Sequence, residues 1–215
     1  MSKIVTLNAE SKSIQHLCKK DKRLAKIISM VGPISYYPYE DGFAFIVHEI
    51  IEQMLSIKAG AKIYARLEDL CNGKISIESI DSLTDEQIRS IGTSSSKVTY
   101  IRGVTDAVKY GAIDFSSFPF MNNKDVIKTL TSLKGIGNWT VKMYLIFVLD
   151  RPDILPTEDV AFLQAYEWLY KTKDRSKESV EKRCKKWKPY SSVAARYLYR
   201  ALDSGLTKEE FHLYK

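Results

Sequence analysis

Two short stretches of the chain hold residues whose types and spacing could do chemistry. The first is Leu130-Thr131-Ser132-Leu133-Lys134-Gly135-Ile136-Gly137-Asn138-Trp139-Thr140-Val141-Lys142. Its two glycines lie one residue apart, between segments whose apolar residues recur at helical spacing. Val126, Ile127, Leu130 and Leu133 precede them, and Val141, Tyr144, Leu145, Val148 and Leu149 follow. Asn122 or Asn123 can cap the first segment. Glycine reaches backbone angles closed to other residues and lets another backbone approach closely. A tight turn that ends at a helix N-terminus presents N–H groups that suit a phosphate. A plain antiparallel helical hairpin carries the same pattern. The second stretch is Arg151-Pro152-Asp153-Ile154-Leu155-Pro156-Thr157-Glu158-Asp159-Val160. Thr157 is a good N-cap, which predicts Asp159 in the first turn of a helix, where the backbone dipole favours the ionised carboxylate. Acidic residues in first turns are common and usually only complement that dipole. Glu158 is a second carboxylate one position away.

The elements that must position these residues are helical. Residues 9–31 predict two short helices, the second capped by Asp21 and stopped by Gly32-Pro33. Tyr36, Tyr37 and Tyr39 cluster in the connection that follows, where packing on the core is the expected role. Residues 43–71 predict two more helices with Gln53-Met54-Leu55-Ser56 between them. Leu83–Ile91 and a helix carrying Val98, Ile101, Val104 and Val108 flank the turn Gly92–Lys97, whose small polar residues read as a structural turn with a cap, with a phosphate contact as the alternative. Residues 111–122 read as a loop rich in Phe and Ser. After Asp159 a helix carries Phe162, Tyr166, Leu169 and Tyr170 on one face. A last long helix begins near Ser191. Between them, residues 171–188 are dense in Lys and Arg against only Asp174, Glu178 and Glu181. Such runs are usually solvated faces, and this one is also a candidate to touch phosphates.

At 215 residues the chain can bury a full core, as one domain or as two lobes around a cleft. A net charge of +7 and a sequence pI near 9.1 favour an anionic partner. Nucleic acid comes before membrane, because no stretch is long and apolar enough to span one. The N-terminus lacks the apolar segment of a signal peptide. Cys18, Cys71 and Cys184 are far apart, form neither a ligand cluster nor a disulfide pattern, and read as free thiols of a cytoplasmic protein, nucleoid-associated if bacterial.

The spacing of the two stretches is where the sequence resembles a family, the helix-hairpin-helix DNA glycosylases and in particular the 3-methyladenine DNA glycosylase II branch. That family follows a hairpin of the form L-x-G-I-G-x-W-T with a segment like R-P-D-x-x-P-x-x-D. Gln53, Ser56 and Ala59, with Phe43, Ile46 and Ile50, match a third motif, and Trp187-Lys188-Pro189-Tyr190-Ser191 a fourth. The resemblance spans about residues 9–205 and implies an all-α, two-lobed fold with the active site in the cleft between lobes. One lobe is expected at 35–122 and the other at 9–34 plus 123–215, in the minimal form without the extra N-terminal domain of larger relatives. It implies flipping of a damaged base out of duplex DNA and hydrolysis of its N-glycosidic bond, for alkylated bases of the 3-methyladenine and 7-methylguanine type, leaving an abasic site. The last Asp of the motif, Asp159, would be catalytic. Trp139 and Tyr199 would line the base pocket with electron-rich faces suited to a cationic base. Gln53 and Met54 would lie at the wedge that fills the hole in the base stack. Lys134, Gly135, Ile136, Gly137 and Thr140 would hold the DNA backbone.

Relatives that also cut the strand carry a Lys where this chain has Trp139, so the resemblance implies a monofunctional hydrolase with no lyase activity. The chemistry requires no cofactor. The family hairpin also binds a monovalent cation, Na⁺ or K⁺, through main-chain oxygens, here those of Thr131, Leu133 and Ile136. Some relatives hold an iron–sulfur cluster on four closely spaced cysteines, which this chain lacks. The partner would be double-stranded DNA carrying a damaged base, and a monomer is the default for an enzyme that bends DNA around a single cleft. Three positions depart from the pattern: Lys134 stands for a usual Pro, which would loosen the turn, Ser191 for Arg, which removes a cation, and Tyr199 for Trp. Two other readings keep the same residues. One is the same fold acting on deaminated, oxidised or mispaired bases, and the other is a helix-hairpin-helix module that binds DNA without catalysis.

Overall fold

The computed structural model describes residues 3–214. The chain divides into two compact units, one formed by Tyr39–Leu149 and the other by Met1–Pro38 together with Asp150–Lys215.

The first of these units is built from helices. α3 spans Gly42–Glu52, α4 Ile57–Leu70, α5 Ile77–Asp81, α6 Asp85–Ser90, α7 Ser95–Lys109, α8 Asn123–Thr131 and α9 Asn138–Phe147. Side-chain caps set most of the helix starts. Asp41 accepts from Ala44 N–H at the head of α3, Ser94 from Lys97 N–H at α7, and Asn122 from Asp125 N–H at α8. α3 is apolar on nearly every face and runs through the centre, with Ile46, Val47, Ile50 and Ile51 buried. α4, α7 and α9 pack on it. Phe45 meets Tyr144 of α9 at 6.1 Å and Phe115 meets Phe118 at 5.3 Å, which closes the core at one end. The loop expected at 111–122 contains a 3₁₀ segment, Phe115–Phe120, whose Phe118 is buried. Because α9 packs on α3, residues 123–149 group with 39–122 rather than with the segment that follows them, which is where the lobe boundary drawn from sequence differs.

In the second unit α1 (Lys12–Lys20) and α2 (Lys22–Val31) come from the start of the chain, and α10 (Val160–Tyr170), α11 (Lys177–Cys184) and α12 (Ser191–Asp203) from its end. α12 packs on α2 and α10. Leu17, Leu24, Ile27, Phe162, Leu169 and Leu198 form the core. Strands β1 (Val5–Leu7) and β2 (Ile34–Tyr36) pair antiparallel, Val5 opposite Tyr36. Three-residue strands leave too few alternating positions to be read from sequence.

One buried carboxylate ties this unit together. Asp21, 3% exposed, caps α2 by accepting from Arg23 and Leu24 N–H. It also accepts from Tyr170 Oη and from Trp187 Nε1 (2.9 Å), and pairs with Lys186 Nζ at 3.1 Å. Burial alone would raise this carboxyl. The hydrogen bonds from Tyr170 and Trp187 and the Lys186 ammonium outweigh it and hold the group below the usual carboxylate range.

Several cations of the basic run at 171–188 are engaged by groups outside it. Lys171 pairs with Glu210 and Arg175 with Glu167, while Arg183 lies over the rings of Tyr166 and Tyr170 at 5.8 and 5.1 Å. Among the described residues, no helix is long and apolar enough to cross a membrane, and no group of three or more His, Cys, Asp or Glu could hold a metal ion.

Candidate active site

The segment that carries Asp159 is irregular and is fixed by the start of α12. Ser192 N–H donates to Pro152 O at 3.0 Å, and Ile154 N–H donates to Ser192 Oγ at 2.9 Å. Ser191 Oγ donates to Asp153 Oδ1 at 2.5 Å, and Ser191 N–H reaches the same oxygen at 3.3 Å. Asp153 thus caps α12 from a neighbouring loop, where Tyr190 offers no side-chain cap. Lys188 Nζ stands 3.5 Å from Asp153 Oδ2. The Ser that stands where Arg was expected at 191 therefore helps to anchor the loop through Asp153. One residue after α9's unit ends, Asp150 adopts a left-handed backbone (φ 48°) and accepts from Tyr36 Oη at 2.9 Å and Arg196 Nη2 at 3.0 Å. The Arg196 guanidinium lies 3.7 Å from the centre of the Tyr36 ring.

This anchored segment delivers Asp159 to the N-terminus of α10, in a position that differs from the one expected. Asp159 is itself the N-cap, with an extended backbone (φ −86°, ψ 122°), and Val160 begins the helix. The turn before it closes through Thr157 N–H to Leu155 O and Asp159 N–H to Pro156 O, both 3.0 Å, so Thr157 lies buried upstream of the cap. Asp159 Oδ1 accepts from Phe162 N–H at 2.6 Å. That bond fixes the orientation of the carboxylate, and the helix dipole stabilises its charge. Asp159 is 8% exposed, whereas the rival Glu158 is exposed. Tyr199 lies on α12 one turn beyond Arg196, half-buried against the core of its unit.

The other expected site residues lie in Tyr39–Leu149. Ile136 N–H donates to Leu133 O at 3.2 Å and closes the hairpin turn between α8 and α9. Gly135 needs its φ of 87°, and a Cβ there would stand 2.2 Å from the Tyr100 ring. Gly137 has an ordinary φ of −101°, and a Cβ there would meet no protein atom within 4 Å. It caps α9 with no side-chain hydrogen bond. Lys134 is exposed, Trp139 half-buried, and the side chains of Ile136 and Thr140 are buried, so those two can offer a ligand only their main chain.

The structure brings Gln53 and Met54 to this hairpin. Gln53 Nε2 donates to Gly135 O at 2.9 Å. Met54 follows the end of α3 with a left-handed backbone (φ 59°) and a fully exposed side chain. A buried, gap-filling role is thereby ruled out. Lys97, the last residue of the turn read as structural, donates from Nζ to Ile51 O and Gln53 O, each at 2.7 Å. A sequence offers no sign of which carbonyl a lysine will reach, so this contact was not legible in advance.

The sequence profile described as "HhH-GPD superfamily base excision DNA repair protein" matches residues 47–189. The chain is 30% identical over 183 residues to DNA-3-methyladenine glycosylase 1 of Schizosaccharomyces pombe, covering 83% of this chain and 80% of that protein. It superposes on the crystal structure of a DNA-3-methyladenine glycosidase from Bacillus halodurans with a TM-score of 0.85 and 33% identity, over 97% of each chain. With the 3-methyladenine DNA glycosylase Mag1 of S. pombe, solved in complex with abasic DNA, the TM-score is 0.81 and the identity 27%, over 95% of this chain and 100% of that one. With that profile covering more than half of its length, the chain belongs to the HhH-GPD superfamily of base excision DNA repair proteins.

Proposed function

We propose that the chain hydrolyses the N-glycosidic bond of alkylated bases, of the 3-methyladenine and 7-methylguanine type, in duplex DNA, and leaves an abasic site without cutting the strand. The observation that carries this reading is Asp159, a nearly buried carboxylate clamped at the N-terminus of α10 in a chain similar to proteins named 3-methyladenine glycosylases. As the C–N bond breaks, positive charge builds on the deoxyribose. A fixed carboxylate stabilises that charge and orients the water whose oxygen adds to C1′. An alkylated base is already cationic and departs neutral, so one carboxylate suffices and no second acid is needed. An electron-rich aromatic face, such as Trp139 or Tyr199 offers, favours a cationic base over a normal one by about 1–2 kcal/mol. Neither residue offers the amine that a Schiff base with C1′ would require.

The partner is DNA. Gly137 supports a phosphate contact at α9, since nothing inside the protein requires a glycine there. Lys134 adds an exposed cation in the same turn. Met54 supplies the apolar wedge and Gln53 ties it to the hairpin. A Na⁺ or K⁺ ion would be held by the main-chain oxygens of Thr131, Leu133 and Ile136. Leu133 O keeps a lone pair beyond its bond to Ile136, and Thr131 lies in the last turn of α8, whose carbonyls lack intrahelical donors. When bound, such an ion would offset phosphate charge.

The test is release of free bases from methylated duplex DNA, followed by a separate alkali step. Release of 3-methyladenine or 7-methylguanine, with strand breaks only after alkali, is expected. Binding without release, or breaks before alkali, would overturn the reading.

A further inference from the structure

Met54 stands in an unusual state for its residue type. Its backbone is left-handed (φ 59°) and its side chain is fully exposed, and it is followed by Leu55, also exposed. Non-glycine residues persist in that backbone region only where the surroundings over-determine them. No glycine relieves the turn, and Met gains nothing from burial here. Something on either side must therefore hold the chain.

The holding contacts come from one face of α7. In its first turn, Lys97 places Nζ between Ile51 O and Gln53 O, 2.7 Å from each. These carbonyls belong to the last turn and the cap of α3, where no intrahelical donor reaches. One turn further along α7, the Tyr100 ring lies against Gly135 so closely that a Cβ there would stand 2.2 Å away. Gln53 Nε2 closes the triangle on Gly135 O at 2.9 Å. Ser94 caps α7 through Lys97 N–H, which fixes the base from which the lysine reaches. The ammonium is half-buried between acceptors and donates to the carbonyls of Ile51 and Gln53, the second of which immediately precedes Met54.

We propose that Lys97 is a positioning residue for the Met54 wedge, holding it projected so that it enters the base stack as the damaged base leaves. Lys97 acts through Met54 and touches neither the sugar nor the base. The proposal deepens the glycosylase reading and rests on it for its functional meaning.

The test is a double-mutant cycle on two readouts, using the full chain. The first is single-turnover release of 7-methylguanine. The second needs no catalysis: the rise in 2-aminopurine emission when the protein binds a duplex with that base flanking a tetrahydrofuran abasic analogue, which reports broken stacking. Lys97→Met is expected to lower both by about tenfold, and Lys97→Arg to recover most of the loss. In a Met54→Ala background, Lys97→Met should change either readout by less than about twofold. Equal losses in both backgrounds, or no loss in either, would overturn the proposal, because a merely structural lysine would weaken both proteins alike. If Lys97→Met does not fold, Lys97→Gln, too short to serve both carbonyls, takes its place in the same cycle. A wild-type protein that opens the stack but releases no methylated base would instead sink the glycosylase reading, and the emission cycle would still decide the role of Lys97.

Discussion

The hairpin end of Tyr39–Leu149 and the loop from Asp150 to Asp159 carry the groups proposed above to act on DNA, and they are built on opposite principles. Around the hairpin, positioning runs through the main chain. Lys97 holds two carbonyls, Gln53 holds the Gly135 carbonyl, and the side chains left to face outward, Met54 and Lys134, are exposed. Around Asp159, positioning runs through side chains. Asp150, Asp153, Ser191, Ser192 and Arg196 form polar contacts that anchor the loop before Asp159 is reached. A grip on a uniform backbone tolerates solvent and needs shape, whereas a carboxylate facing a developing cation needs a fixed direction in a shielded place. Damage to the first region should cost binding and base flipping, and damage to the second should cost chemistry.

The two hairpin glycines break that comparison most sharply. Gly135→Ala meets both a positive φ and the Tyr100 ring, so it should destabilise the protein by about 4 kcal/mol, read by urea unfolding. Gly137→Ala meets neither, so stability should stay within about 0.5 kcal/mol of wild type. Its affinity for abasic duplex DNA should nevertheless fall, since the new methyl stands where the phosphate is expected.

Asp21 comes next. Asp21→Asn would turn amide hydrogens toward the Trp187 and Tyr170 donors and leave Lys186 without its counter-charge, at a cost of about 3 kcal/mol at pH 7. The folded-state pKa is depressed, so the stabilisation is fully present above the unfolded value of about 3.9 and is lost as pH falls through the lower folded value. The stability gap between wild type and variant, followed by thermal unfolding, should therefore narrow in acid.

The smallest effect is expected at Ser191. Ser191→Ala removes one hydrogen bond to Asp153 and should cost about 1 kcal/mol of stability. It should lower kcat for base release with KM for DNA little changed, because the loop that carries Asp159 loosens while the hairpin does not.

Most of the helices and the hairpin turn were legible in the sequence because apolar period and caps are local. Asn122 and Asp21 cap where their positions suggested. The cap at α10 fell to Asp159 instead of Thr157, because Pro156 and Thr157 close a turn of their own that any good cap residue would hide. The basic run at 171–188 looked weakly opposed, since Glu167, Glu210, Asp21 and Asp153 lie outside it in sequence. The Lys97 contact and the Ser191–Asp153 cap are likewise long-range pairings of common polar residues, and nothing in their local sequence marks the partner.

The measurement that bears most directly on the central claim sets wild type beside Asp159→Asn and reads base release from methylated duplex DNA together with affinity for abasic duplex DNA. Asn keeps a cap acceptor for Phe162 N–H but carries no charge, so release should fall by at least about a hundredfold while abasic DNA is bound as before. Release at the wild-type rate, or a loss of binding that matches the loss of release, would contradict the account.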